Sequence, residues 1–142
     1  MNNSVKQGKK PFIVHPSNFI PGLELNEGFY FDVVKGIVES NFPNLKYSAG
    51  LTGHCSDCLG FDTVISTDHA WGPRLQLFLR ENDYTRIKAQ LHNILAYNLP
   101  LNYKGFPTNQ FKGCWGMEEV DKPPINHWIQ LETASSFVNN DV

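Results

Sequence analysis

No stretch of this sequence is apolar for more than a few residues, whereas a bilayer-spanning helix needs roughly 20, so a membrane-spanning segment is not expected. Neither sign of charge dominates. Lys and Arg number 12 against 14 Asp and Glu, a formal net charge of −2, so no global basic field exists to hold a nucleic-acid backbone. Cysteine is scarce and odd in number: Cys55, Cys58 and Cys114. The polar start from Met1 to Lys10 is not followed by the apolar stretch of a secretory signal. Together these features favour reduced thiols in a cytoplasmic protein over a disulfide framework. Internal repeats and low-complexity tracts are also missing.

What is present suffices for one folded unit. Within 142 residues, 41% are hydrophobic and 18% charged, a balance that builds a single core and argues against disorder. Residues 1–25 read as an extended lead-in, with Pro11, Pro16 and Pro21 excluding a long helix, and residues 26–142 as the domain. From Asn26, a candidate cap, Phe29, Val33 and Ile37 recur every four residues with Tyr30, Val34 and Val38 beside them, predicting a helix that ends before Pro43. Leu45 to Leu51 reads as a short strand. After a polar loop, Leu75, Leu77 and Leu79 alternate with Gln76 and Arg80 as a second strand, and Phe78 suggests that its other face is partly covered. Asn82 or Asp83 is the expected cap of a second helix with the stripe Ile87, Leu91, Ile94 and Leu95, running to Pro100. Leu101 to Pro124, rich in Gly and Pro, is expected to be irregular, and His127 to Thr133 to be a last strand. This order of elements gives an α/β (α+β) class, with the first two strands neighbours in a mixed sheet and both helices on one side.

Chemistry concentrates between Gly53 and Arg74. The run Gly53-His54-Cys55-Ser56-Asp57-Cys58-Leu59-Gly60-Phe61-Asp62 is followed by Ser66-Thr67-Asp68-His69-Ala70-Trp71-Gly72-Pro73-Arg74. Small residues let backbone amides approach phosphate oxygens, and Ser56 adds a donor. Asp68 is suited to a hard divalent cation bridging those phosphates. His69 reads as a histidine orienting Asp68, Trp71 as a packing residue or a stacking platform, and Arg74 as a phosphate clamp or an aspartate partner. His54, Cys55 and Cys58 have zinc-like or redox spacing, which Cys114 and His127 would have to complete; without a second tight pair, free thiols are expected.

Over about Phe19 to Phe137 the chain resembles the DUF4037 family of nucleotidyltransferase-like proteins. The likeness rests on Ser56-Asp57-Cys58-Leu59-Gly60-Phe61-Asp62, on Ser66 to Leu79 with its Asp-His-x-Trp-Gly-Pro-Arg string, on Leu99-Pro100 with Gly105-Phe106-Pro107-Thr108-Asn109, and on the His127 strand. It implies the polymerase-β-like nucleotidyltransferase fold, a small mixed sheet flanked by helices. By that resemblance Gly53 and Ser56 belong to a phosphate-gripping loop, Asp68 is the first Mg2+ position of an Asp-x-Asp pattern, and Glu132 is a third carboxylate near the acceptor hydroxyl. Two positions depart from the pattern: Cys55 replaces the glycine before the loop serine, and Ala70 replaces the second carboxylate. Members of the family tend to continue into a C-terminal helical region beyond the point where this sequence stops.

Two functions follow as expectations. The first is a metal-dependent nucleotidyltransferase that moves a nucleoside monophosphate from a nucleoside triphosphate to a hydroxyl acceptor, with Arg74 among the nucleotide contacts. The second, which Ala70 favours, is a catalytically inactive module that binds a nucleotide or a partner.

Overall fold

The computed structural model describes residues 12–51, 71–110 and 116–135. Pro21 is extended, at φ −53° and ψ 139°, and the chain turns helical at the next residue. Helix α1 (Gly22–Phe29) passes through a π-turn at Tyr30–Val34 into α2 (Lys35–Asn41). A π-turn takes in one more residue than an α-turn, so the inward positions are Leu25, Phe29, Val34 and Val38. The two apolar stripes of the sequence are thus used in succession, and the buried face passes from one to the other at the π-turn. Val33 and Ile37 are only half-buried. Asn26 lies inside α1 and does not cap it.

Strand β1 (Tyr47–Gly50) pairs antiparallel with β2 (Arg74–Leu79), and β2 pairs parallel with β7 (Trp128–Thr133). The sheet order is β1-β2-β7, so the Leu75 strand is central and the first two strands are neighbours, as their patterns predict. A parallel pair needs a long crossover. Here it runs through α3 (Glu81–Asn98), whose Ile87, Leu91, Leu95 and Ala96 are buried. Arg80 occupies the cap position, and neither Asn82 nor Asp83 does. Asp83 sits in the first turn, where a negative charge suits the helix dipole. Its carboxylate accepts from Arg86 Nη2 at 2.8 Å and Arg80 Nε at 3.2 Å, and the first bond above all holds it below the usual carboxylate range.

The apolar faces of α1, α2 and α3 meet over Leu75, Leu77, Leu79 and Ile129 in one core. Each fully buried Leu or Phe contributes roughly 1.5–3 kcal/mol of transfer free energy. The lead-in joins this core: Val14 is buried within it, and Phe12 and Phe19 pack on it. The Phe12 N–H donates to the Met117 carbonyl at 2.7 Å.

The segment after α3 is more regular than its composition suggests. β3 (Asn102–Tyr103) pairs with β4 (Phe106–Pro107), and β5 (Asn109–Gln110) with β6 (Met117–Glu118). The first pair closes through Lys104-Gly105, both at positive φ, 51° and 89°, the requirement of a two-residue hairpin turn that Gly meets without strain. Pro107 lies in a two-residue strand, where one missing N–H is tolerated. Tyr103, from this hairpin, donates its hydroxyl to Asp32 Oδ2 at 2.5 Å. Burial, followed by the Asp32 carboxylate, pushes the phenol up to about 12.

Among the described residues no helix is long and apolar enough to cross a membrane. Gly72 is closely packed and conformationally special: its φ is +129°, and a Cβ added there would lie 2.8 Å from Met117 Cγ and Sδ. Gly72→Ala therefore combines backbone strain with overpacking and is expected to cost about 1–3 kcal/mol. Urea unfolding of the two proteins measures it; equal midpoints would show that Met117 moves aside and the backbone relaxes freely.

Candidate functional site

Side chains alternate along a strand, and the register sorts the sheet into two unlike faces. Leu75, Leu77 and Leu79 of β2 share one face with Ile129, Leu131 and Thr133 of β7; this is the face on the core. The other carries Arg74, Gln76 and Phe78 beside Trp128, Gln130 and Glu132, with Ser48 and Gly50 of β1 opposite Phe78 and Gln76. It is polar, yet Arg74 and Gln76 are buried on it. The Arg74 guanidinium lies 4.9 Å from the centroid of the Trp128 ring, a cation–π arrangement, and Gln76 Nε2 donates to Gln130 Oε1 at 3.3 Å.

Of the polar segment, Gly53, Ser56 and Asp68 lie outside the described residues, as do Cys55, Cys58 and Ala70. From Trp71 onward the chain is firmly held. Trp71 is buried, stacks on Phe19 at 5.7 Å and 24°, and meets Phe106 edge-on at 5.2 Å; of its two expected roles, packing is the one it fills. Next come Gly72 against Met117, and Arg74 over Trp128.

Between these contacts lies a residue whose role the sequence did not signal. Asn26, 1% exposed, donates Nδ2 to the Gly22 carbonyl at 3.0 Å and to the Gly72 carbonyl at 3.1 Å, and its Oδ1 accepts the Arg74 N–H at 2.7 Å. The β1–β2 ladder ends at Gly50 opposite Gln76. Two residues farther back, the Asn26 carboxamide meets the Arg74 and Gly72 backbone as a neighbouring strand's peptide group would. A groove of about 700 Å³ opens beside it, lined by Leu23, Glu27, Phe31, Gly50 and Leu51 along with Asn26 itself.

Of the expected site residues, Arg74 and Glu132 are described, and they share the polar face. They are not adjacent: Arg74 pairs with Trp128, while the half-buried Glu132 pairs with Phe78, four ladder positions along. At roughly 3.3 Å per residue, that offset is about 13 Å. Among the described residues no group of three His, Cys, Asp or Glu side chains converges as a metal site.

His127, considered above as a zinc ligand, has both ring nitrogens engaged. Nδ1 accepts the Ile129 N–H at 3.1 Å, which leaves the proton on Nε2 to donate to the His92 carbonyl, also at 3.1 Å. Burial, above all, lowers its pKa from 6.5 to about 4. The folded value lies below the unfolded one, so the stabilisation from neutral His127 is complete above about pH 6.5 and is lost as pH falls towards 4. The loss amounts to roughly 3 kcal/mol. Denaturant unfolding between pH 7.5 and 4.5 is expected to show this slope, and His127→Gln to flatten it. Identical pH profiles for the two proteins would assign the acid sensitivity to other groups.

In comparisons with known proteins the chain matches no family model, no curated protein and no solved structure.

Proposed function

We propose that the chain is a metal-dependent nucleotidyltransferase, transferring a nucleoside monophosphate from a nucleoside triphosphate to a hydroxyl acceptor. The observation that carries this reading is the string Asp68-His69-Ala70-Trp71-Gly72-Pro73-Arg74 leading directly into the central strand of a mixed sheet. One face of that sheet is polar, and its helices pack on the other. The Gly- and Ser-bearing segment lies in sequence between two neighbouring strands, and a groove large enough for a small molecule opens beside Gly50 and Leu51.

In this reading the backbone at Gly53 and the Ser56 hydroxyl donate to phosphate oxygens, and Arg74 adds positive charge to the nucleotide site. Asp68 offers the hard oxygen donor that Mg2+ prefers. When bound, the ion neutralises charge on the phosphates and orients the α-phosphorus. The acceptor oxygen bonds to that phosphorus, the bond to the bridging oxygen breaks, and pyrophosphate leaves. Glu132 accepts the acceptor's proton. Its offset from Arg74 along the sheet suits it to the acceptor side of this scheme.

A second reading has one specific observation behind it. Position 70 is alanine, so the second carboxylate of the metal pair is missing, and a module that binds nucleotide without turning it over fits that change.

Titration with each of ATP, GTP, CTP and UTP, with and without Mg2+, combined with an assay for pyrophosphate, separates the readings. Binding strengthened by Mg2+ with pyrophosphate release is the result for an enzyme; Mg2+-strengthened binding without release is the result for a module. Asp68→Asn keeps the size and removes the charge, and is expected to weaken Mg2+-dependent binding at least tenfold while the protein stays folded. Ala70→Asp is expected to strengthen it. If Asp68→Asn lowers only the melting temperature and Ala70→Asp changes nothing, Asp68 is structural and the site is misplaced.

A further inference from the structure

The lead-in and the Lys104-Gly105 turn border a cavity of about 440 Å³, within the size range of small-molecule sites and unused by the nucleotidyltransferase reading. Phe12, Phe19, Ile20 and Phe106 wall it, and each belongs to the core or packs on it, so the walls are held from behind. Phe12 meets the Phe106 ring edge-on at 6.3 Å and donates its N–H to Met117, while Phe19 stacks on Trp71. Ile13 also lines the cavity, yet is 74% exposed. The ionisable residues of the lining, His15 and Lys104, are both basic, and no described carboxylate lines it. Lys104 stands out for a second reason. It holds the first position of the hairpin turn at φ 51°, where Asn, Asp or Gly meets the positive φ most readily, so a lysine adds nothing to the turn itself. Its neighbour Tyr103 has taken the Asp32 carboxylate. Lys104 forms no ion pair with a described residue, and its Nζ lies 5.6 Å from the Tyr103 ring centroid, near the outer limit of a cation–π contact.

From this geometry we propose that the cavity binds a small organic carboxylate with an apolar body, of the medium-chain fatty acid kind. Its chain lies against the phenylalanines, and its carboxylate accepts from Lys104 Nζ, with the exposed His15 and Ser17 as further donors. A neutral apolar molecule would leave the ammonium without a counter-charge, and a bare anion would leave the aromatic walls wet; an amphiphilic carboxylate meets both demands. Every residue of this site lies in the lead-in or the hairpin, so the proposal is independent of the nucleotidyltransferase reading and neither stands nor falls with it.

The test titrates the full chain by calorimetry with octanoate, octanol and acetate, below the melting temperature of every protein used. Saturable binding of octanoate, at least tenfold tighter than that of octanol or acetate, is the expected result for the wild type. Lys104→Asn suits the turn and removes the charge; it is expected to bind octanoate at least tenfold more weakly and octanol as the wild type does. Ile13→Asp puts a repelling carboxylate at an exposed position of the lining, and is expected to weaken octanoate at least threefold. Lys88→Asn, on α3 beside Tyr84, is the control for a lost surface charge and is expected to stay within about twofold. Wild-type protein without saturable octanoate binding overturns the proposal, as does octanol bound as tightly as octanoate. Equal octanoate affinity in wild type and Lys104→Asn, or equal weakening in Lys104→Asn and Lys88→Asn, overturns it too. Should Lys104→Asn fail to fold, Ile13→Asp decides, and octanoate affinity unchanged in that variant overturns the proposal.

Discussion

The carboxamide of Asn26 joins the helical and sheet parts of this protein at a place where β1 gives β2 no backbone partner. Backbone pairing between β1 and β2 stops at Gly50 opposite Gln76, and Pro73 removes a donor from the stretch just before β2. Without a partner, the Gly72 carbonyl and Arg74 N–H would be buried polar groups at a cost of about 1–3 kcal/mol each. Asn26 satisfies both. In doing so it fixes where β2 begins, and β2 is the strand on which the other two depend. Trp71 wedged between Phe19 and Phe106, and Gly72 pressed on Met117, hold the same point by packing. The stretch from Trp71 into β2 is thus held by packing and by hydrogen bonds together.

Much of this architecture was legible because hydrophobic periodicity reports the core directly. The alternation at Leu75, Leu77 and Leu79 and the stripe at Ile87, Leu91 and Leu95 match the buried positions. Helix boundaries were less legible. Asn26 and Asp83 have the composition of caps, but the same polar groups serve elsewhere: one bridges to β2, and the other pairs with Arg80 and Arg86. Tertiary hydrogen bonds leave no periodic trace. The π-turn was hidden for a related reason, since Phe29-Val33-Ile37 and Tyr30-Val34-Val38 are equally good stripes and only packing selects where one hands over to the other. The two-residue strand pairs between Asn102 and Glu118 lay below the length at which alternation can be read. Gly105 marked a break in the sequence, and in the fold it completes a turn. Of the expected site residues, the loop members Gly53, Ser56 and Asp68 are outside the described residues, so only Arg74 and Glu132 could be compared with their expected places.

The placement of Arg74 and Glu132 follows from a constraint that has nothing to do with chemistry. Because side chains alternate with period two, sliding β7 by one residue against β2 would turn Ile129 and Leu131 away from the core and drive Gln130 and Glu132 into it. Burying an unpaired carboxylate among leucines is far more costly than any single contact on the polar face could repay. The register that puts Leu77 opposite Leu131 therefore also puts Glu132 opposite Phe78, on the face that carries Arg74. It sets the distance as well. Trp128 must sit beside Arg74, where the two make their cation–π contact, so Glu132 is carried four residues along the strand. A ligand that engaged both side chains would have to extend along the strands over that offset. A single compact ion is not of that shape. The core packing of this small sheet thus sets the spacing of Arg74 and Glu132 on its polar face.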